Sequence, residues 1–345
     1  MKLSDLGEFG LIEKIRKSTF RRSSSVLIGI GDDAAVLKVS ASAAWLATTD
    51  MLIEGVHFDL GYTDFYSLGW KAAAANLSDI AAMGGFPHFC LTSLGIPPAV
   101  TVEHISEFYR GCNALLRVHH TMLVGGDTCS SPHGMIINVV LLGEAGRTRV
   151  LSRAGAQPGD RIFVTGTLGD SAAGLELVQL QNAERRLRNK KLRIRNPRSE
   201  VARLVKKHLR PVPRVEWGQK IALSRCAHSM IDISDGLSSD LAHICEQSGV
   251  GALIAAQKIP VSLSLRKALD RLKKAPLDYA LSGGEDYELL FTAPPGKINK
   301  LKSLRIPMTE IGEITRTRKI LIMDGREKKA TLEPTGYNHF PGRSL

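Results

Sequence analysis

Single aspartates recur along this chain at the ends of apolar or glycine-rich stretches: Asp33, Asp50, Asp79, Asp127, Asp232 and Asp235. Carboxylates spread over separate turns suit Mg2+, a hard ion that takes oxygen ligands, keeps several waters and uses one or two carboxylates together with substrate phosphates. Taken alone, each of these residues reads first as a cap or turn residue; a metal site requires the fold to gather them. Asp232 resists the plain reading. It sits in the apolar run Met230 to Ile233, where an unpaired carboxylate is costly, so a cation or a dense shell of hydrogen bonds is expected there. Asp79 falls in the last turn of a helical pattern, where the helix dipole disfavours an anion by about 0.3–1 kcal/mol.

The nucleotide devices are the next test. A P-loop is excluded, because Gly296-Lys297 is followed by Ile298. Gly29-x-Gly31-x-x-Ala34, with Asp50 further on, imitates a dinucleotide fingerprint. However, Asp32 and Asp33 would face the pyrophosphate, and like charges about 5 Å apart repel by roughly 3 kcal/mol at an effective dielectric of 20. A cation between carboxylate and phosphate reverses that sign. The turns Gly125-Gly126-Asp127-Thr128 and Gly166-Thr167-Leu168-Gly169-Asp170-Ser171 are expected either to offer N–H groups to phosphate oxygens or simply to join strands to helices. Arg153 offers a fixed positive charge or an ordinary surface residue.

Positioning these groups requires strand ends and helix ends on one side of the molecule. Apolar periodicity predicts a helix over 8–16, strands over 26–30, 34–39 and 44–48, and a helix over 66–83 capped by Asp64 or Ser67 and stopped by Gly84-Gly85. A strand over 90–94, a helix over 102–118 and strands over 121–124 and 136–142 follow. In the second half the pattern gives a strand over 161–165, a helix from Ser171, a strand over 230–233, a helix over 237–247, a strand over 287–292 and a hairpin turning at Asp324-Gly325. Strands alternating with helices predict an α/β or α+β fold of mixed sheets packed with helices. At 345 residues two domains are expected, 1–146 and 147–345, with the boundary in the Gly, Arg, Ser and Pro stretch that opens the second.

Composition narrows the function classes. The net charge of +12 is matched by one segment, Arg185 to Arg214, which holds thirteen Lys/Arg against Glu200 alone and has no aromatic residue for base stacking. It reads as a solvated helical face with a loop, and no nucleic-acid partner is expected. The five cysteines are scattered without a C-x-x-C pair, so reduced thiols are expected. The N-terminal residues lack an apolar targeting core and no apolar run spans a bilayer, so the expected location is cytoplasmic with no membrane partner.

Eight ordered motifs carry a resemblance over nearly the whole chain. They are Gly-Ile-Gly-Asp-Asp-Ala-Ala (29–35), Thr-Thr-Asp-Met-Leu-Ile-Glu-Gly-Val-His-Phe (48–58), Asn-Leu-Ser-Asp-Ile-Ala-Ala-Met-Gly (76–84), Gly-Gly-Asp-Thr (125–128), Val-Thr-Gly-Thr-Leu-Gly-Asp-Ser-Ala-Ala-Gly (164–174), Ile-Asp-Ile-Ser-Asp-Gly-Leu (231–237), Ser-Gly-Gly-Glu-Asp-Tyr-Glu-Leu (282–289) and Gly-Tyr-Asn-His-Phe (336–340). The set closely resembles the thiamine-monophosphate kinase family. That resemblance implies the two-domain fold shared with aminoimidazole ribonucleotide synthetase, a homodimer through the N-terminal domains, and ATP-dependent phosphorylation of thiamine monophosphate to the diphosphate. It also implies Asp33, Thr48, Thr49, Asp50, Asp79, Asp127, Asp232 and Asp235 as Mg2+ ligands, Gly126, Asp127, Arg153 and Ser234 as contacts to ATP, and His57, Glu285 and Tyr337 as contacts to thiamine monophosphate. The acceptor is already an ionised phosphate, so no covalent nucleophile or general base is expected, and transfer should be direct and in line. A selenophosphate synthetase would place a reactive Cys in a glycine-rich N-terminal segment, and Met1 to Leu37 has none. Hydrogenase-maturation relatives end in a reactive Cys, whereas this sequence ends Gly342-Arg343-Ser344-Leu345. An RNA-binding protein would leave the acidic motifs unexplained.

Overall fold

The structure, a computed structural model, describes residues 3–19, 23–188, 199–337 and 339; the middle of the basic segment, 189–198, and Asn338 and Phe340 of the last motif lie outside them. Helix α1 (Leu3–Thr19), kinked at Gly7, precedes strands β1 (Val26–Ile28), β2 (Ala35–Lys38) and β3 (Ala43–Ile53). Then come α2 (Phe65–Ala82), β4 (Phe86–Ile96), α3 (Val102–Val118), β5 (Met122–Ser130) and β6 (Ile136–Gly146). The second half comprises β7 (Arg161–Thr165), α4 (Asp170–Arg188), α5 (Glu200–Leu209), α6 (Val215–Ser224), β8 (Ser229–Asp232), α7 (Leu237–Ser248) and β9 (Gly251–Ala255). It closes with α8 (Leu263–Lys267), α9 (Pro276–Ser282), β10 (Leu289–Ala293), α10 (Ile298–Lys302), β11 (Met308–Thr315), β12 (Ile320–Met323) and β13 (Lys329–Thr331).

Among the described residues the strands form two mixed sheets, in the orders β1-β2-β3-β6-β4-β5 and β13-β12-β9-β11-β7-β10-β8. The parallel pairs are β4 with β5 and β12 with β9. In the first sheet Leu46, Thr48, Leu52, Ile137, Val139, Leu141, Thr92 and Leu94 are buried on one face, as the period of two requires. The other face carries Met51, Ile53, Phe89, Met122, Val124 and Ile136, all exposed.

Helix α2 organises the molecule. Asp64 caps it, accepting from the N–H of Ser67 at 2.7 Å. Against α3 the backbones meet closely: a Cβ on Gly69 would lie 1.9 Å from the Phe108 carbonyl oxygen, and one on Gly111 1.8 Å from that of Tyr66. On another side α2 meets the second half of the chain. Arg210 donates to Ser67 Oγ at 2.8 Å, Lys71 pairs with Glu285, Ser78 with Asp232, and Gly218 of α6 lies against Ala81. These α2 positions are three, four or seven apart, which puts them along one face. A helix apolar nearly all round, as its alanine-rich middle foretells, is a buried helix. Leu77 and Ile80 accordingly share one apolar core with Phe163, Met230 and Phe291 of the second half.

Several expected boundaries move. Strand β3 runs on to Ile53, so Asp50 lies within it rather than at its end. Strand β5 continues through Gly125-Gly126-Asp127-Thr128, so this stretch is edge strand and not a turn before a helix. Strand β10 starts at Leu289 and not at Tyr287, because Glu285 and Tyr287 take left-handed φ values of 64° and 50°. All five cysteines are free.

Candidate active site

At the junction of the two halves, ligand atoms of Asp33, Asp79 and Asp232 all lie within 4.8 Å of one another. Three elements deliver them: the turn before β2, the last turn of α2 and the end of β8. Asp33 Oδ1 accepts from Arg153 Nε at 3.1 Å and from its NH2 group at 2.5 Å. Asp33 Oδ2 is buried and has no hydrogen-bond partner. Thr48 Oγ1 donates to Asp79 Oδ2, and Ser78 Oγ donates to Asp232 Oδ2 at 2.6 Å. Asp32 takes backbone donors instead, its Oδ1 accepting from the N–H of Asp33 at 3.0 Å and its Oδ2 from that of Arg153 at 3.3 Å.

The carboxylates crowd each other in a site short of positive charge. Burial, reinforced by the charge of Asp33, lifts Asp232 to about 8 despite the Ser78 hydroxyl. Burial with the charges of Asp33 and Asp235 lifts Asp50 to about 6. Asp79 is held well above the carboxylate range by burial and by Asp50 and Asp232, and Asp33 is raised by burial even against Arg153. Asp235, just beyond β8, rises to about 6 through burial and Glu8. An all-oxygen cluster with an orphaned carboxylate oxygen fits a hard divalent cation, whose charge would offset the repulsion.

A second constellation lies alongside. Glu285 receives Lys71 Nζ at 2.7 Å on Oε1 and 2.8 Å on Oε2, with His208 Nδ1 3.2 Å from Oε2. Burial alone would raise Glu285, but Lys71 and His208 hold it down at about 2. Lys71 Nζ also donates to the His57 carbonyl at 3.3 Å. The His57 ring, whose Nδ1 accepts from the Ile53 N–H at 3.0 Å, lies 4.9 Å from that of His339, which in turn lies 4.8 Å edge-on from Tyr337. The Ser234 carbonyl accepts from the Glu285 N–H at 2.7 Å, tying this group to the loop after β8.

The structure thus gathers Asp33, Thr48, Asp50, Asp79, Arg153 and Asp232, with Ser234 and Asp235 on the adjoining loop, and separately gathers His57, Glu285 and Tyr337. Thr49, Gly126 and Asp127 are not brought to the cluster within one chain. Strand alternation turns Thr49 to the opposite face of β3 from Thr48 and Asp50, where its hydroxyl accepts from Asn138 Nδ2 at 3.0 Å. Asp50 and Gly126 lie in one row across the sheet through Val139 and Thr92, three strand spacings or roughly 14 Å apart. Gly126 and Asp127 instead line a surface hollow of about 420 Å³ with Tyr109, Leu123, Gly125 and Thr128.

Of the two readings of the Gly166–Ser171 turn, the connection of a strand to a helix holds: it joins β7 to α4, with the N–H groups of Gly169 and Ser171 taken by Asp286 at 2.6 and 3.1 Å and those of Gly166 and Leu168 by the carbonyls of Pro307 and Pro260. In the described part of the basic segment α5 does expose Arg203 and Lys206, but Arg210 and Arg214 are only partly exposed and make bonds within the chain, Arg210 to Ser67. Arg214 pairs with the fully buried Glu288 and stacks 4.4 Å over Trp217. Sequence reading missed Lys71, His208 and Asp240. Asp240, buried and held well above its usual range by burial and Asp235, accepts from the Gly236 N–H at 3.0 Å. Lysine in an alanine-rich apolar helix was the one available signal.

Comparison with known proteins agrees with this architecture. The family model for the N-terminal domain of AIR synthase related proteins matches residues 31–145, and that for the C-terminal domain matches 157–324. The chain is 39% identical to the thiamine-monophosphate kinase of Aquifex aeolicus over 340 residues, covering 99% of this chain and all of that protein. It is 39% identical to that of Escherichia coli K12 over 342 residues, covering 97% and 98%. A solved structure, AaThiL complexed with AMPPCP and TMP, is 38% identical and superposes with a TM-score of 0.83 over 99% of each chain.

Proposed function

The chain belongs to the thiamine-monophosphate kinases of the AIR synthase related family, and from that premise we propose that it transfers the γ-phosphoryl group of ATP to thiamine monophosphate, yielding thiamine diphosphate and ADP. The observation that carries the site assignment is the convergence of Asp33, Asp79 and Asp232 at the domain junction beside Arg153. The domains are read as 1–146, holding nucleotide, metal and dimer contacts, and 147–345, completing the site. No helix among the described residues is long and apolar enough to cross a membrane, and the proposed location is cytoplasmic.

An oxygen of the acceptor phosphate attacks the γ-phosphorus as the bond from that phosphorus to the β-bridging oxygen breaks, in line and without a phosphoenzyme. That oxygen is already ionised, so the protein supplies position and charge rather than a base. Asp33, Asp79 and Asp232, with Thr48, Asp50 and Asp235, are the residues that would hold Mg2+. When bound, that ion neutralises phosphate charge and aligns the two polyanions. Arg153 presents a guanidinium already fixed by Asp33, and Ser234 holds the loop that joins the metal cluster to Glu285. His57, Glu285 and Tyr337 take thiamine monophosphate. His57 is a binding group and not a base, since its Nδ1 is engaged by the Ile53 N–H.

Thr49 and Asp127 both lie on the open side of the first sheet, where Met51, Met122 and Val124 are more than half exposed. This supports a homodimer in which the partner covers that face and brings its Gly126, Asp127 and Tyr109 hollow toward the nucleotide. Purified protein with ATP, Mg2+ and thiamine monophosphate should form thiamine diphosphate. No product, or product unaffected by Asp50→Asn and Asp127→Asn, would sink the assignment.

A further inference from the structure

Lys71 is among the largest fully buried side chains in the protein, 1% exposed in the middle of α2. An ammonium is almost never buried so deeply unless paired. Its partners are two groups assigned to the acceptor substrate, one from each half of the chain: both carboxylate oxygens of Glu285, at 2.7 and 2.8 Å, and the His57 carbonyl at 3.3 Å. Glu285 keeps about a quarter of its side chain exposed while Lys71 keeps almost none, so the carboxylate lies between the lysine and solvent. Its backbone takes the uncommon left-handed conformation, φ 64°, fixed by the N–H bond to Ser234. His208 of α5 braces Oε2 from another side.

We propose that Lys71 is a positioning residue for thiamine monophosphate, acting through Glu285: from behind, it fixes that carboxylate, and with it the His57 segment, as hydrogen-bond acceptors for the substrate. This rests on the functional reading above. Because Lys71 neutralises Glu285, the pair offers a directed acceptor and not a net negative charge, which selects a donor such as the exocyclic amine of the pyrimidine.

The test is a double-mutant cycle on the full-length protein with Lys71→Met, Glu285→Gln and the two combined, each measured for kcat and for KM toward thiamine monophosphate and ATP. Lys71→Met strands a partly buried carboxylate and destabilises the protein; the combined variant is neutral and tolerates burial better. The expected result is a KM for thiamine monophosphate raised at least about tenfold in Lys71→Met, with KM for ATP within about twofold of wild type. In the Glu285→Gln background Lys71→Met should add almost nothing, since a residue that acts through another is silent once that other is gone. Fully additive losses, equal loss toward both substrates, or an unchanged KM for thiamine monophosphate would each overturn the inference. A wild type unable to phosphorylate thiamine monophosphate sinks the functional reading and this inference together, whereas an active wild type with unaltered variants sinks this inference alone.

Discussion

Adjacent in the chain, Asp32 and Asp33 both meet Arg153, but through different groups, its backbone N–H and its guanidinium. Asp32 closes its turn on backbone N–H groups, while Asp33 shares one oxygen with Arg153 and leaves the other buried and unpartnered among carboxylates. Substituting an outer partner costs about 10–100-fold in metal affinity or activity, and a ligand should cost more than that. Asp33→Asn is therefore expected to lower kcat/KM by more than about 100-fold, and Asp32→Asn by less. Steady-state rates at saturating Mg2+ decide the order, and the reverse ranking would reassign the two residues.

At the scale of elements, α2 connects the two constellations: Lys71 reaches the acceptor site and Ser78 and Asp79 the metal cluster, two turns further on. Its seating against α6 depends on Gly218, where a Cβ would lie 2.0 Å from the Ala81 carbonyl oxygen. Alanine is the better helix former by about 1 kcal/mol, but overpacking against backbone costs about 1–3 kcal/mol. The clash wins. Gly218→Ala should lower the urea midpoint and, by displacing α2, weaken Mg2+-induced stabilisation as well. An unchanged midpoint would show that α6 yields freely.

For the whole molecule, the crowded cluster makes stability depend on pH. Asp50, Asp32 and Asp232 stand at about 6, 7 and 8 in the fold, against about 3.9 in an unfolded chain. For raised carboxyls the stabilising contribution is full below the unfolded value and is lost as pH rises through the folded ones. Metal-free protein should therefore melt at a lower temperature at about pH 8.5 than at about pH 5.5, with Mg2+ restoring most at the higher pH. Glu285, at about 2, keeps its contribution throughout that window and loses it only below about pH 4.5. A flat Tm profile without metal would contradict the crowding. If two copies complete each site, mixing inactive Asp33→Asn and Asp127→Asn proteins should restore up to about a quarter of wild-type activity through hybrid dimers. No recovery after exchange of subunits would place both residues in one chain's site.

Motif order and periodicity determined the family, the alternation of strands and helices, the full extents of α3 and β7, and most of the acidic residues that converge, because these are properties of local spacing. Asp232 was legible in advance because a carboxylate in an apolar strand must be compensated. Tertiary structure alone decided the rest. Thr49 is separated from Thr48 and Asp50 by the alternation of a strand whose buried face the sequence did not specify. Asp127 lies three strands from Asp50 because the sheet order interposes β6 and β4. The amides of Gly169 and Ser171 go to Asp286, more than a hundred residues away in sequence. Lys71 shows the limit most directly: a lysine in an alanine-rich apolar helix signals that a partner is needed, but only the fold supplies Glu285, since local spacing carries no information about which distant charge a buried one will meet.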